Sequence, residues 1–135
     1  MTKWEYDSYC NDNVQEYIEH YSESTIESDI QDFLTDYPSW DDLEFVLGIA
    51  MYRIRCSVKV SDNTLRILRD VIDDLLENSK FKYWIDKDKR KIKIIQERRI
   101  INCLLKKVSF KFGKLIEKPL KFNDLEIYIY NSITF

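Results

Sequence analysis

Residues able to carry out catalysis are scarce in this chain. His20 is its single histidine, so metal sites and catalytic triads that need several imidazoles are excluded. A nucleophilic pair such as Cys56 with His20 is compatible with the composition, but a cysteine is far more often a buried structural residue. Adjacent carboxylates occur at Asp41-Asp42 and Asp73-Asp74, yet neighbours in a helix point to different parts of its surface. We therefore predict that the protein is not an enzyme and carries no catalytic residue, cofactor or metal.

The acidic residues are concentrated in the first 50 positions. This stretch holds thirteen Asp or Glu residues and one basic residue, Lys3, whereas residues 79–135 hold 15 basic and 6 acidic residues. A formal net charge of -3 hides this asymmetry. Such an uneven distribution in a small protein favours electrostatic recognition of a partner, although the two ends can also attract each other.

Length and composition predict one domain spanning residues 1–135, because 44% hydrophobic residues in 135 are enough for a single core. Three widely spaced cysteines without a CxxC motif are typical of a reducing compartment. The N-terminal sequence MTKWEYDSYC lacks the basic and apolar regions of a signal peptide, and no apolar run approaches the length of a membrane span. We therefore expect a cytoplasmic protein with no membrane partner.

Two short acidic helices are predicted near the start of the chain. Asn11–Asn13 can cap the first helix, and a capping box at residues 24–27 can begin the second, which Pro38 closes. Apolar residues at helical spacing form the inner stripes of these helices: Val14, Tyr17, Ile18 and Tyr21 in the first, and Ile26, Ile30, Phe33 and Leu34 in the second. Carboxylates off these stripes are expected to face water or a partner.

A longer helical pair is predicted to form the centre of the core. The first member starts at Ser39 and carries an apolar stripe that runs from Leu43 through Val58, and the second starts at Ser61 or Asp62. Gly48 lies inside the first stripe, where it costs about 1 kcal/mol relative to Ala, so we expect it to permit a close helix crossing. These two helices are interpreted as an antiparallel hairpin.

The last third of the chain is harder to interpret. Residues 80–99 fit either a hairpin around residues 86–89 or the start of a long basic helix, of which we prefer a helix at Lys89–Lys107. The sequences VSFKF and LEIYIYNSITF alternate with period two and predict a small C-terminal β element. The expected fold is therefore mostly α, with about five helices, a central antiparallel helical hairpin and a minor C-terminal β element.

Short motifs in the first 105 residues resemble a family of small bacterial immunity proteins from polymorphic-toxin systems. Members of that family open with aromatic residues, an Asn-Asp step and an acidic amphipathic helix, which correspond here to Trp4, Tyr6, Tyr9, Asn11, Asp12, Val14, Tyr17 and Ile18. Their apolar helical hairpin corresponds to Leu43–Leu76, and a later Ser-x-x-x-x-Trp element to Ser79 and Trp84. The chain departs from that pattern at Thr2 and Glu5, where the family has glycines, and in its β-rich tail.

This resemblance implies a protein that neutralises a cognate toxin, in some members an effector of contact-dependent growth inhibition. Nucleases hold phosphate with Lys and Arg, so a carboxylate-rich inhibitor can cover such a basic cleft and associate with it quickly. We therefore predict that this chain binds a basic nuclease toxin. The predicted contact residues are six carboxylates and three aromatic anchors: Glu16, Glu19, Glu23, Asp29, Asp32, Asp36, Tyr21, Tyr37 and Trp40.

The basic segment at residues 87–99 supports an alternative function. Its Lys and Arg residues, with Tyr83 and Trp84 nearby, are compatible with a nucleic-acid-binding or regulatory protein. The acidic pI of about 5.3 and the absence of a named nucleic-acid motif disfavour this alternative. Charge balance within the chain is the simpler role for the segment.

Overall fold

A computed structural model describes residues 6–56 and 58–107. Its five helices confirm the predicted mostly helical fold, and the described residues contain no strand. The predicted C-terminal β element lies outside the described residues. The helices are α1 (Asp12–His20), α2 (Ile26–Phe33), α3 (Trp40–Arg55), α4 (Asp62–Asn78) and α5 (Lys87–Lys106).

The helices begin at polar residues that satisfy the otherwise unpaired N–H groups of the first turn. The predicted cap Asn11 accepts a hydrogen bond from the backbone N–H of Val14, and Ser39 forms a complete capping box with Asp42. Ser61 caps α4, as predicted. Helix α2 starts one residue later than the predicted capping box at residues 24–27, because its N-cap is Thr25, and it ends at Phe33, before Pro38.

Helix α3 forms the centre of the core and contacts α1, α2 and α4. Its middle turns, including Leu47, Ile49 and Met51, are completely buried. Gly48 is buried among them, and an added Cβ there would collide with the backbone carbonyl of Ser8 and lie 2.8 Å from a methyl group of Val14. The prediction that Gly48 permits a close crossing is therefore confirmed, and the crossing partners are α1 and the segment that precedes it.

Helices α3 and α4 form the predicted central hairpin, but α3 is shorter than its apolar pattern suggested. The helix ends at Arg55 with Cys56 as its C-cap, so Val58 lies beyond it and is 44% exposed. Cys56, expected as a buried structural thiol, is also exposed. The sequence pattern suggested a longer helix because Val58, in the connecting segment, continues the helical spacing of the apolar residues of α3.

Helix α5 resolves the ambiguity over residues 80–99 in favour of a helix. It begins at Lys87, with Asp86 as its N-cap, and makes its most extensive contact with α4. Before it, Phe81 adopts a left-handed backbone conformation and is buried, so residues 79–84 turn sharply from α4 into α5. None of the helices within 6–56 and 58–107 is long and apolar enough to cross a membrane.

Candidate acidic interface and its buried supports

Eight of the nine predicted contact residues lie at the surface. The exposed carboxylates, which we call the acidic face, are Glu16, Glu19, Glu23, Asp32 and Asp36. Among the predicted aromatic anchors, Tyr21 is 56% exposed, Trp40 41% and Tyr37 completely exposed. The ninth residue, Asp29, is buried, so its prediction as a contact residue is wrong.

Asp29 is buried because it lies on the apolar stripe of α2. It follows Ile26 by three positions and precedes Phe33 by four, and both spacings place it on the same side of the helix as these residues. The Arg53 guanidinium on α3 compensates the carboxylate, with 3.4 Å between Arg53 Nε and Asp29 Oδ2. A strict i, i+3, i+7 count over aspartates alone had assigned it to the opposite face.

Arg53 and Asp29 belong to a hydrogen-bonded cluster that joins α1, α2 and α3. The Tyr17 hydroxyl donates to Asp29 Oδ1 at 2.6 Å, and Ser24 Oγ lies 3.0 Å from the same oxygen. Arg53 Nη2 donates to Ser24 Oγ and to the backbone carbonyl of Tyr21. Burial, followed by the hydrogen bond to the Asp29 carboxylate, raises the pKa of Tyr17 to about 12, so this donor keeps its proton across the physiological range.

Aromatic packing brings the ends of α1 and α2 together. The Tyr17 ring lies 4.7 Å from that of Tyr21 and 5.4 Å, edge-on, from that of Phe33, measured between centroids. Asp32 adjoins Phe33 and is close enough for its charge to contribute to the raised pKa of Tyr17. Asp32 of α2 therefore lies near the end of α1. Trp40 makes no aromatic contact with the group among the described residues.

Several carboxylates of the acidic face lie where the helix dipole disfavours them. Glu19 is in the last turn of α1 and Asp32 in the last turn of α2, and neither helix has a Lys or Arg there. Glu23 and Asp36 lie three residues beyond the last residues of α1 and α2. A negative charge at a helix C-terminus costs about 0.3–1 kcal/mol at low ionic strength, so these positions do not serve the stability of the helices.

Basic residues of the described chain compensate buried acids and leave the acidic face unpaired. Asp29 pairs with Arg53, Glu44 lies 3.3 Å from Arg90 Nε, and Asp7 lies 3.7 Å from Lys93 Nζ. No residue of the acidic face is within ion-pair distance of a described Lys or Arg. The predicted charge balance within the chain is therefore found at buried acids and at surface pairs such as Asp73 with Arg98, and no described cation compensates the acidic face.

The connection between α2 and α3 presents an aromatic ring in a strained backbone. Asp36 and Tyr37 both have positive φ, 56° and 58°, and adopt the left-handed conformation that costs a residue with a side chain about 1–2 kcal/mol. Tyr37 is also completely exposed, so the fold gains no packing from its ring. Strained, exposed aromatic residues are characteristic of binding surfaces.

A second buried cluster surrounds Arg90 on α5. This side chain is only 1% exposed, and its Nη1 and Nη2 donate at 2.7 Å to the carbonyl of Tyr6 and to Ser8 Oγ. Glu97, completely buried two helical turns further along α5, accepts from Ser8 Oγ at 2.5 Å. Polar contacts with α5 therefore hold the segment before α1 in place. Sequence reasoning missed this cluster, because Arg90 looked like one more cation in a basic run.

The Glu97 carboxyl has a pKa that is raised toward neutrality. Complete burial raises it from 4.5 to about 7, and the Asp7 charge acts in the same direction. The Arg90 guanidinium and the hydrogen bonds from Ser8 oppose that rise. The cluster around Arg90 therefore changes its charge within the physiological pH range.

The basic segment at residues 87–99 is partly internal. Arg90 is buried, the Lys93 side chain is 18% exposed and lies beside Asp7, and Arg98 Nε is 3.0 Å from Asp73 Oδ1. These contacts reduce the surface that the segment offers to a nucleic acid. In the described ranges, no three His, Cys, Asp or Glu side chains lie together as a metal site.

Comparison with protein-family models, curated proteins and solved structures finds no match for this chain. The resemblance to immunity proteins therefore stays a prediction from sequence.

Proposed function

We propose that this chain is a cytoplasmic immunity protein that neutralises a cognate toxin with a basic surface, such as a nuclease domain, through the acidic face. The observation that carries the proposal is the position of the face. Glu19 and Asp32 lie in the last turns of α1 and α2, where they oppose the helix dipole, and no carboxylate of the face is paired with a cation among the described residues. A cationic partner would relieve both costs, which gives these residues a role in binding rather than in folding.

Aromatic residues beside the carboxylates supply the second component of such an interface. Tyr21 and Tyr37 are exposed, and the Tyr37 backbone is in the left-handed conformation, which is unfavourable for a residue with a side chain. Tyr is enriched among residues that dominate binding energy, because its ring buries a large area with little loss of side-chain entropy. The carboxylates would steer the partner and the tyrosines would anchor it.

A protection assay with a charge-reversed variant tests this proposal. The proposal expects a toxin gene beside this one, and cells that express its toxin domain should survive when they also express the native chain. The variant with Glu19→Lys, Glu23→Lys and Asp32→Lys should lose most of that protection, because the positive charges repel a basic partner. Its free energy of unfolding should stay the same or rise by about 1 kcal/mol, since cations are favourable at the C-termini of α1 and α2.

A matched control separates this surface from net charge alone. Asp70, Asp74 and Glu77 are exposed on α4, so their reversal to lysine changes the net charge by the same amount. That variant should protect cells like the native chain. Full protection by the acidic-face variant would contradict the proposal, as would an equal loss in both variants.

A further inference from the structure

A groove lies beside the start of α3, where the connection from α4 to α5 passes over it. Its volume is about 310 Å³, large enough for one long side chain. Trp40, Phe81, Tyr83 and Trp84 supply aromatic surface to its walls. Trp40 and Tyr83 are 41% and 67% exposed, so their rings are available to an entering group.

Glu44 places a fixed carboxylate in this groove. Its Oε1 accepts from Trp84 Nε1 at 3.0 Å and from Arg90 Nε at 3.3 Å. Its Oε2 makes no hydrogen bond within the described part of the chain, and the side chain lines the groove with 15% of its surface exposed. One oxygen thus holds the carboxylate in orientation while the other is left for a donor from outside.

The positive charge beside Glu44 is shared with a second carboxylate. Arg90 contacts Glu44 through Nε and lies 3.7 Å from Glu97 through Nη1. Because Glu97 also interacts with this guanidinium, Arg90 only partly neutralises Glu44, and a second carboxylate, Asp41, lines the same groove. In a partly desolvated wall this charge acts more strongly than the charge of fully hydrated groups on the rim.

Two lysines, Lys80 and Lys82, also line the groove, but both are exposed. The Lys82 ammonium lies 5.0 Å from the centroid of the Tyr83 ring. The rim therefore already holds one cation against an aromatic face, as a cation–π contact. An entering cation would replace Lys82, whose flexible stem can turn back into solvent.

We infer that this groove binds the guanidinium of an arginine side chain from the partner protein. The inference rests on the proposed function, in which the partner has a basic surface. Guanidinium fits better than ammonium because it is planar, stacks on rings such as Trp40 and Tyr83, and donates to a carboxylate such as Glu44 while stacked. The groove would thus hold one anchor residue, and the acidic face would supply the long-range attraction.

A titration with model peptides tests the groove without the partner. The native chain is titrated with acetyl-Gly-Arg-Gly-amide while the indole N–H resonances of its tryptophans are followed. The Trp84 resonance reports on Glu44 directly, because that N–H donates to it. We expect saturable shifts of the Trp40 and Trp84 resonances with millimolar affinity, and no saturation with the same peptide containing neutral citrulline.

Substitution of the groups that attract the arginine should weaken its binding, and substitution of the lysine that competes with it should strengthen binding. Trp40→Ala, Tyr83→Ala and Glu44→Gln should each weaken arginine binding about fivefold or more, whereas Lys82→Ala should strengthen it. Should Glu44→Gln disturb the fold through Arg90, the two exposed aromatic variants still decide the question. Ile85→Ala is the matched control, since Ile85 is 99% exposed and outside the groove lining.

Three results would overturn the inference. Equal binding of the citrulline peptide would show that charge is not recognised, and unchanged affinity in the Trp40 and Tyr83 variants would place the peptide elsewhere. Saturable binding of a single-stranded oligonucleotide that Lys82→Ala weakens would assign the groove to nucleic acid instead. Loss of protection by the acidic-face variant is a separate measurement. Failure of the groove inference can therefore be distinguished from failure of the proposed function.

Discussion

The two buried arginines of this protein occupy similar environments and differ in what they control. Arg53 joins three elements that are close in sequence, since its partners lie within 32 residues. Arg90 holds residues up to 84 positions away, which include the segment before α1. The cluster around Arg53 fixes the local geometry under the acidic face. The cluster around Arg90 joins the segment before α1 to α5.

The clusters also differ in their response to pH. Around Arg53, the group with a raised pKa is the Tyr17 hydroxyl, at about 12, and it is neutral under all ordinary conditions. Around Arg90, the corresponding group is the Glu97 carboxyl, at about 7. A buried arginine paired with a carboxylate therefore need not respond to pH. The response arises from the complete burial of Glu97, which raises the pKa of its carboxyl more than the Arg90 guanidinium lowers it.

Substitution of each buried arginine should change the free energy of unfolding more than any other substitution considered. The two losses show which cluster contributes more to stability. Arg90→Met leaves Glu44 and Glu97 without their shared cation, which should lower the free energy of unfolding by about 3–5 kcal/mol. Arg53→Met should cost about 2 kcal/mol, because Asp29 still accepts from Tyr17 and Ser24. Urea denaturation of both variants measures the difference. A larger loss at Arg53 would reverse the assignment of the two roles.

Titration of Glu97 should make the Arg90 cluster less stable at alkaline pH. Burial raises the pKa of this carboxyl from 4.5 to about 7. The stability that protonated Glu97 contributes to the folded state is therefore fully present below about pH 4.5 and is lost as the pH rises through 7. The shift corresponds to roughly 3 kcal/mol. The comparison is between the native chain and Glu97→Gln, whose side chain does not titrate.

As the pH falls from 8 to 5, the native chain should gain stability relative to the Glu97→Gln variant, in chemical denaturation at each pH. A constant difference between the two proteins would mean that Glu97 titrates outside this range. Tyr17→Phe serves as the control for the other cluster, and its difference from the native chain should not vary over the same pH interval.

Gly48→Ala should damage the Arg90 cluster selectively. The added methyl group would push against the Ser8 carbonyl and against Val14, and Ser8 is the residue that Arg90 and Glu97 hold. Overpacking of this kind costs about 1–3 kcal/mol. The rate of amide hydrogen exchange should rise for the segment around Ser8 and stay unchanged around Arg53. An equal rise at both places would show that the close crossing at Gly48 stabilises both clusters to the same extent.

The smallest expected effect lies outside both clusters, at Tyr37. Asn tolerates the left-handed conformation better than Tyr does, so Tyr37→Asn should raise the free energy of unfolding by about 0.5–1 kcal/mol. Thermal denaturation measures this gain. The same variant should protect cells less well than the native chain, and improvement of both properties would show that the ring has no role in binding.

Sequence reasoning located the helices because their start signals are local. Asn11, Ser39 and Ser61 each cap the helix that begins after them, and the periodic apolar residues between caps determine which faces are buried. The same reasoning extended α3 too far, because Val58 continued its apolar phase beyond the last helical residue.

The buried charges could not be predicted in the same way. Asp29 was assigned to the surface because it belongs to a series of regularly spaced aspartates. Its spacing from Ile26 and Phe33, however, places it on the apolar stripe, and it is buried. Arg90 and Glu97 gave no such signal, since their burial depends on contacts with residues more than 80 positions away. Spacing along one helix cannot reveal which of its charges meets a distant partner.

The acidic face itself follows from sequence for five of six predicted carboxylates, whereas its lack of cationic partners among the described residues could be seen only in the structure. Its central role is tested most directly by the rate of association with the toxin domain from the protection assay, measured at increasing ionic strength. The native chain should associate rapidly at low salt, and its rate should fall steeply as salt screens the carboxylates. The variant with lysine at positions 19, 23 and 32 should associate slowly with little salt dependence, whereas the same steep dependence in both proteins would contradict recognition through the acidic face.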